Sequence, residues 1–96
     1  MNLLFHSEAF EEMIEAAQYY EDHAPGVGDD FLSEIEEGLE RIAGSPRTYS
    51  LLFGSVRRYL LQRFPYGIVY KVRKNGVFII AVPHLRRNPG YWKHRL

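Results

Sequence analysis

The stretch Pro83-His84-Leu85-Arg86-Arg87-Asn88-Pro89-Gly90-Tyr91-Trp92-Lys93-His94-Arg95 gathers imidazole, guanidinium, ammonium, phenol and indole groups in one short segment. Metal-free cleavage of RNA needs a base for the 2′-hydroxyl, an acid for the leaving oxygen and a cation for the phosphorane. His84, Tyr91 and Arg86 or Arg87 are of the right types. The same groups can bind without cutting: arginine and lysine hold phosphates, and Tyr91, Trp92 or Tyr66 could stack on the bases of a single strand. Pro89-Gly90 should turn the chain so that Tyr91 and Trp92 fold back. A plainer role stands beside these. The two rings would then clasp one end of a sheet, and His84, directly after Pro83, would be a structural histidine.

The charge pattern bears on which role applies. Residues 1–44 carry all twelve carboxylates against one arginine, whereas residues 45–96 carry eleven Lys or Arg residues and no carboxylate. A formal net charge of zero thus hides two oppositely charged halves. Clustered like charges create a field that attracts one class of molecule and repels another, so the second half is suited to an anionic partner. The glutamates read most simply as a solvated helix face. Pairing them with basic strands would contribute only ~0–1 kcal/mol per exposed pair and does not explain why no carboxylate follows Glu40.

Ninety-six residues, 46% hydrophobic and 15% aromatic, suffice for one compact core and are too few for two. A single domain over residues 1–96 is expected. The chain has no cysteine, and His6, His23, His84 and His94 are scattered without zinc spacing. No metal or cofactor is expected. With no leader or long apolar run read in the sequence, the expected setting is the cytoplasm, away from membranes.

The elements that must position these groups follow from periodicity. Asn2 to Phe5 reads as an opening strand, and Ser7 as the N-cap of a helix whose first turns carry Glu8, Glu11 and Glu12. Phe10, Met13, Ile14, Ala17 and Tyr20 form its apolar stripe, and Ala24-Pro25-Gly26-Val27-Gly28 breaks it. Asp29 or Asp30 should cap a second helix, with Phe31, Leu32, Ile35, Leu39 and Ile42 on one face and Gly44-Ser45-Pro46 as its stop. Three strands are then expected, at Arg57 to Phe64, Ile68 to Arg73 and Val77 to Val82. Pro65 with Gly67 makes the first turn, and Asn75-Gly76 favours a tight hairpin for the second. Ile68, Tyr70 and Val72 should face the helices, leaving Val69, Lys71 and Arg73 on a more polar, basic face. Arg57, Arg58 and Arg63 on the first of these strands serve either as edge charges or as partner contacts.

Residues 57–73, followed by Ala81-Val82-Pro83-His84 and Arg86-Arg87-Asn88-Pro89-Gly90-Tyr91-Trp92, resemble the RelE/ParE superfamily of toxins from bacterial type II toxin–antitoxin systems. The order of strand, helical hairpin and meander fits as well, so the resemblance covers nearly the whole chain. It implies a small growth-inhibiting toxin neutralised by a cognate antitoxin, usually encoded beside it, whose often acidic C-terminal segment folds over the toxin. RelE-like members are ribosome-dependent mRNA endonucleases, whereas ParE-like members poison DNA gyrase without cutting. In the nuclease branch a basic residue follows the aromatic that opens the middle strand. Here the aromatic matches Tyr66, and the next position is Gly67, which can neither hold a phosphate nor stabilise a transition state. Arg58 matches one upstream basic position and Leu60 occupies another. Tyr91 matches the C-terminal tyrosine, Arg86 lies one residue from the tail arginine, and Arg63 could enter from the turn to replace the missing cation.

The resulting expectation is an α+β fold, with an N-terminal strand and a two-helix hairpin packed on an antiparallel β-sheet meander. The expected function is that of a ParE-like toxin, complexed with its antitoxin and acting on gyrase or a comparable target. The alternatives are a RelE-like nuclease and a non-toxic binding module. A nuclease would work through Arg58, Arg86, Arg87, Tyr91 and His84. A binder would use Arg57, Arg63, Lys71, Arg73, Trp92, Lys93 and Arg95. Without an antitoxin, apolar surface would be exposed along Phe10, Met13 and Ile14 or along Leu32, Ile35 and Leu39.

Overall fold

The computed structural model describes residues 2–96. Strand β1 (Asn2–Phe5) leads into helix α1 (Ser7–His23), which returns through a tight turn as α2 (Val27–Gly44). Strands β2 (Leu51–Phe53), β3 (Val56–Leu60), β4 (Gly67–Arg73) and β5 (Gly76–Ala81) follow, and a single 3-10 turn spans Lys93–Arg95. The sheet has five strands in the order β1-β5-β4-β3-β2. Strands β2 to β5 form an antiparallel meander, whereas β1 runs parallel to β5, with Leu3 opposite Val77 and Phe5 opposite Ile79.

Both helix starts differ from the sequence expectation. His6, not Ser7, caps α1, its Nδ1 accepting the Glu8 N–H at 3.1 Å. Helix α2 begins two residues before Asp29, after Gly26 in the left-handed region at φ 87°. No side chain of its own caps it. Instead the Glu21 carboxylate reaches across from α1 and accepts the N–H groups of Gly26 and Gly28. That places negative charge at the positive end of the α2 dipole and satisfies two donors that a helix start leaves orphaned. The helices touch closely here, because a Cβ on Gly28 would lie 2.6 Å from the Ala17 carbonyl oxygen.

The hairpin packs on one sheet face. Phe31, Ile35 and Ile42 of α2 and Ala9, Ala16 and Ala17 of α1 meet Tyr59, Ile68, Tyr70, Val77 and Ile79 in the main core. The fully buried residues of α1 are all alanines, while Tyr20, Phe31, Phe64 and Tyr66 form an edge-to-face aromatic cluster at one end. The Tyr70 hydroxyl, carried into this core, donates to the Pro46 carbonyl at 2.6 Å, so the polar atom is satisfied.

The opposite face is not the polar surface expected from Val69, Lys71 and Arg73. Val56, Val69, Phe78, Ile80, Ala81 and Trp92 make a second buried cluster there. A β-bulge between Val69 and Tyr70 on one side and Ala81 and Ile79 on the other explains its size. The extra residue breaks the two-residue alternation, so Ile80 and Ala81 both belong to this second cluster. Lys71 and Arg73 stay at the solvent margin, and Arg73 lies over the Phe78 ring at 4.0 Å. Strand β3 also stops at Leu60, so Leu61 to Phe64 form a loop whose Gln62 and Arg63 N–H groups donate to Glu34 on α2.

No helix among the described residues is long and apolar enough to cross a membrane. The close helix contact is testable. Gly28→Ala should destabilise the fold by about 1–3 kcal/mol through overpacking, despite the better helix propensity of alanine. Gly44→Ala, where an added Cβ meets nothing within 4 Å, should not, and thermal unfolding of the two variants measures the difference.

Candidate functional site

The tail leaves β5 beside the β3–β4 connection. Gly67 N–H donates to the Pro83 carbonyl, Leu85 N–H to that of Pro65, and Tyr66 bridges to His84. From there the chain crosses the second sheet face and inserts Trp92 into the second cluster. The indole is 2% exposed, and truncating such a ring costs about 3–5 kcal/mol, so Trp92 is a structural plug.

What holds the tail down is a charged node. The bulge in β5 leaves backbone groups without ladder partners, and side chains supply them. Arg95, buried, donates to the Ile80 carbonyl at 3.1 Å and to the two Glu12 oxygens at 3.1 and 2.8 Å. Glu12, on α1, also accepts the Val82 N–H at 2.9 Å. Glu8, one turn earlier, lies 3.3 Å from both Arg95 Nε and His94 Nε2. Burial works against the Glu12 charge, but hydrogen bonds from Arg95 and Val82 and the Arg95 charge outweigh it and hold its pKa below the usual carboxylate value.

Tyr91 lies against the second cluster with its hydroxyl buried beside the Glu12 carboxylate. Burial and the nearby Glu12 carboxylate push its pKa far above that of an ordinary phenol. The ring is covered by Arg87, 3.9 Å from its centroid, with Arg95 at 5.2 Å. His84 accepts the Arg86 N–H on Nδ1 at 3.0 Å, which keeps the proton of the neutral ring on Nε2. Its free nitrogen is therefore a donor, the wrong state for a general base.

Arg58, His84, Arg87 and Tyr91 do come together. They line a groove of about 50 Å³ with Leu52, Leu85, Asn88, Pro89 and Trp92, far below the roughly 300–1,000 Å³ of small-molecule sites. On the α1 side of His84 and Arg87 lies a wider cleft of about 290 Å³, but Glu12 and Glu15 line it and would repel phosphate. The remaining predicted residues are dispersed. Arg57 donates to the Tyr49 carbonyl at 2.7 Å. Arg63 is outside β3, 3.5 Å from Asp30 on α2, and does not reach the groove to stand in for a cation at Gly67. A Cβ at Gly67 would crowd the Tyr59 carbonyl and the Arg58 stem at 3.2–3.3 Å. Arg86 is exposed, Lys93 lies over the Phe53 ring at 4.1 Å, and Lys71 and Arg73 sit farther along β4.

Glu12 and β2 were not singled out by the sequence. Glu12 looks like one more solvated glutamate on an acidic helix, and Leu51-Leu52-Phe53 is too short to show alternation.

The model of the family described as ParE toxin of type II toxin-antitoxin system, parDE, matches residues 3–89. The chain belongs to this ParE toxin family. It is also 30% identical over 88 residues to Toxin ParE2 of Mycobacterium tuberculosis, in strains CDC 1551 / Oshkosh and ATCC 25618 / H37Rv, covering 91% of this chain and 84% of the relative. A solved structure, that of a chromosomal ParDE toxin–antitoxin system from P. aeruginosa, shares the fold with a TM-score of 0.77 at 16% identity, over 88% of this chain and 95% of that one. This ParE family member is thus a type II toxin built on the RelE/ParE fold.

The node should give its stability a recognisable acid dependence. Because the folded pKa of Glu12 is depressed, its contribution is present above the unfolded value and is lost as pH falls through the folded one. Glu12→Gln should lower stability by about 3 kcal/mol at pH 7 by leaving Arg95 without its anionic partner. It should also flatten the loss of stability below about pH 4.5, as measured by denaturant unfolding of both proteins from pH 7 to pH 3.

Proposed function

We propose that this ParE family toxin inhibits DNA gyrase by binding it, without cutting nucleic acid, and that it is held inactive by a cognate antitoxin. The observation that carries the reading is the Tyr91 hydroxyl: shut off from solvent beside the Glu12 carboxylate and raised in pKa, it is not presented to a substrate. A nuclease would need that hydroxyl, or His84, to exchange protons with RNA. With its Nδ1 taken by the Arg86 N–H, His84 offers no acceptor nitrogen to serve as the base, and the position after Tyr66 is Gly67, which carries no cation.

The surface left to an antitoxin supports the same reading. Ile35 is buried, and Leu32 and Leu39 pack against the core, so that stripe is already covered. Phe10 and Ile14, one turn apart on α1, are 49% and 44% exposed. An amphipathic antitoxin segment would cover them.

Two measurements test the proposal together. During brief expression in bacteria, the 5′ ends of mRNA should stay as in control cells, while purified protein should inhibit supercoiling by gyrase; fresh in-frame cuts with normal supercoiling would reverse the assignment. Tyr91→Phe, which keeps the ring, should leave growth inhibition within about twofold of the parent. Loss of a general acid or base would instead lower it by about 10²–10⁴.

A further inference from the structure

The edge of the sheet beside the tail carries a feature that neither core explains. Strand β2 is an outer strand, and Leu51, Leu52 and Phe53 all face solvent to a substantial degree. Outside the β2–β3 ladder, no backbone hydrogen bond among the described residues engages these three. Edge strands are normally protected by a charge, a proline or a cover, and β2 contains none of these. Leu52 continues into the groove with Arg58, Leu85 and Trp92, so an unpaired edge and an apolar floor adjoin. Arg58 shares the groove with Leu52, Lys93 lies over Phe53, and Arg57 is the cross-strand partner of Leu51.

That chemistry favours a protein segment over a nucleic acid strand. Bases bind through open aromatic faces, and here those faces are occupied: Arg87 covers Tyr91, Lys93 covers Phe53 and Trp92 is buried. It also disfavours a second copy of this chain across a twofold axis, which would set Arg58 and Lys93 against themselves. A segment that pairs with a free edge, places aliphatic side chains in the groove and brings carboxylates to the cations satisfies every feature. We propose that an acidic, extended segment of the gyrase protein lies along the outer edge of β2, with its aliphatic side chains on Leu52 and its carboxylates on Arg58 and Lys93. This rests on the gyrase-binding reading above and specifies the surface that serves it.

The test is the affinity of the purified full chain for DNA-free gyrase, measured by biolayer interferometry. Leu52→Asp and Arg58→Glu should each weaken binding by at least about tenfold. Leu4→Asp, on the opposite sheet edge, should bind as the parent does. Thermal unfolding checks that each variant is folded, and Leu52→Ser replaces Leu52→Asp if the latter is not. Parent-like binding by Leu52 and Arg58 variants, or equal weakening by Leu4→Asp, would refute the β2 surface while leaving gyrase inhibition intact. Binding that appears only when DNA is added would show a nucleic-acid surface instead. If the parent neither binds nor inhibits gyrase, the functional reading and this surface fall together.

Discussion

The Glu12 carboxylate joins three parts of the chain at one point: a helix, the end of a strand and the tail. It is fixed on α1, it caps the Val82 N–H beyond the bulge in β5, and it receives the Arg95 guanidinium from the tail. Each contact satisfies a group that would otherwise be buried without a partner, which is the condition under which a charged pair inside a protein is tolerated. Without the carboxylate, Arg95 would be a desolvated cation and the tail would lose its fastening. Trp92 would then be held over the second face by its own burial alone. The helical half and the basic half are thus locked together by an acid from one and a base from the other.

Closing the second face also decides which chemistry the surface can perform. The tail brings Arg58, His84, Arg87 and Tyr91 within one small groove, yet leaves no group there placed to act as a base. A phenol is buried, an imidazole has its acceptor nitrogen taken by a backbone N–H, and a guanidinium covers an aromatic face. Residue types that could serve a nuclease serve packing in this member of the family. What remains outward is a rim of charge around aliphatic side chains, a surface for recognition.

Much of the architecture was legible because it follows from local periodicity. The apolar stripes of both helices and the Asn75-Gly76 turn each required only neighbouring residues. The failures share a different cause. Asp29 and Asp30 have the right chemistry to cap α2, but the cap comes from Glu21, seven residues before Gly28 and on another helix. Val69 was read as part of a polar face, because alternation on β4 cannot reveal that a distant Trp92 covers it. Arg95 resembled one more surface cation, and its burial depends on a bulge in β5 that no composition announces. Pattern reading finds elements, whereas the charged node that fastens the tail depends on contacts between residues 70 or more positions apart.

The parallel alignment of β1 with β5 has a consequence for how the chain acquires its structure. The helical hairpin and the meander consist of neighbours in sequence, and each can begin to form alone. Strand β1 must wait, since Leu3 meets Val77 only after the whole intervening chain has been folded back to place them side by side. Closing so large a loop costs entropy before any ladder bond is made. Pairing of β1 should therefore be the late step of folding and an early one to reverse, giving this edge faster amide exchange than β4. The N-terminal strand then acts as the final seal on a sheet whose other strands assemble among themselves.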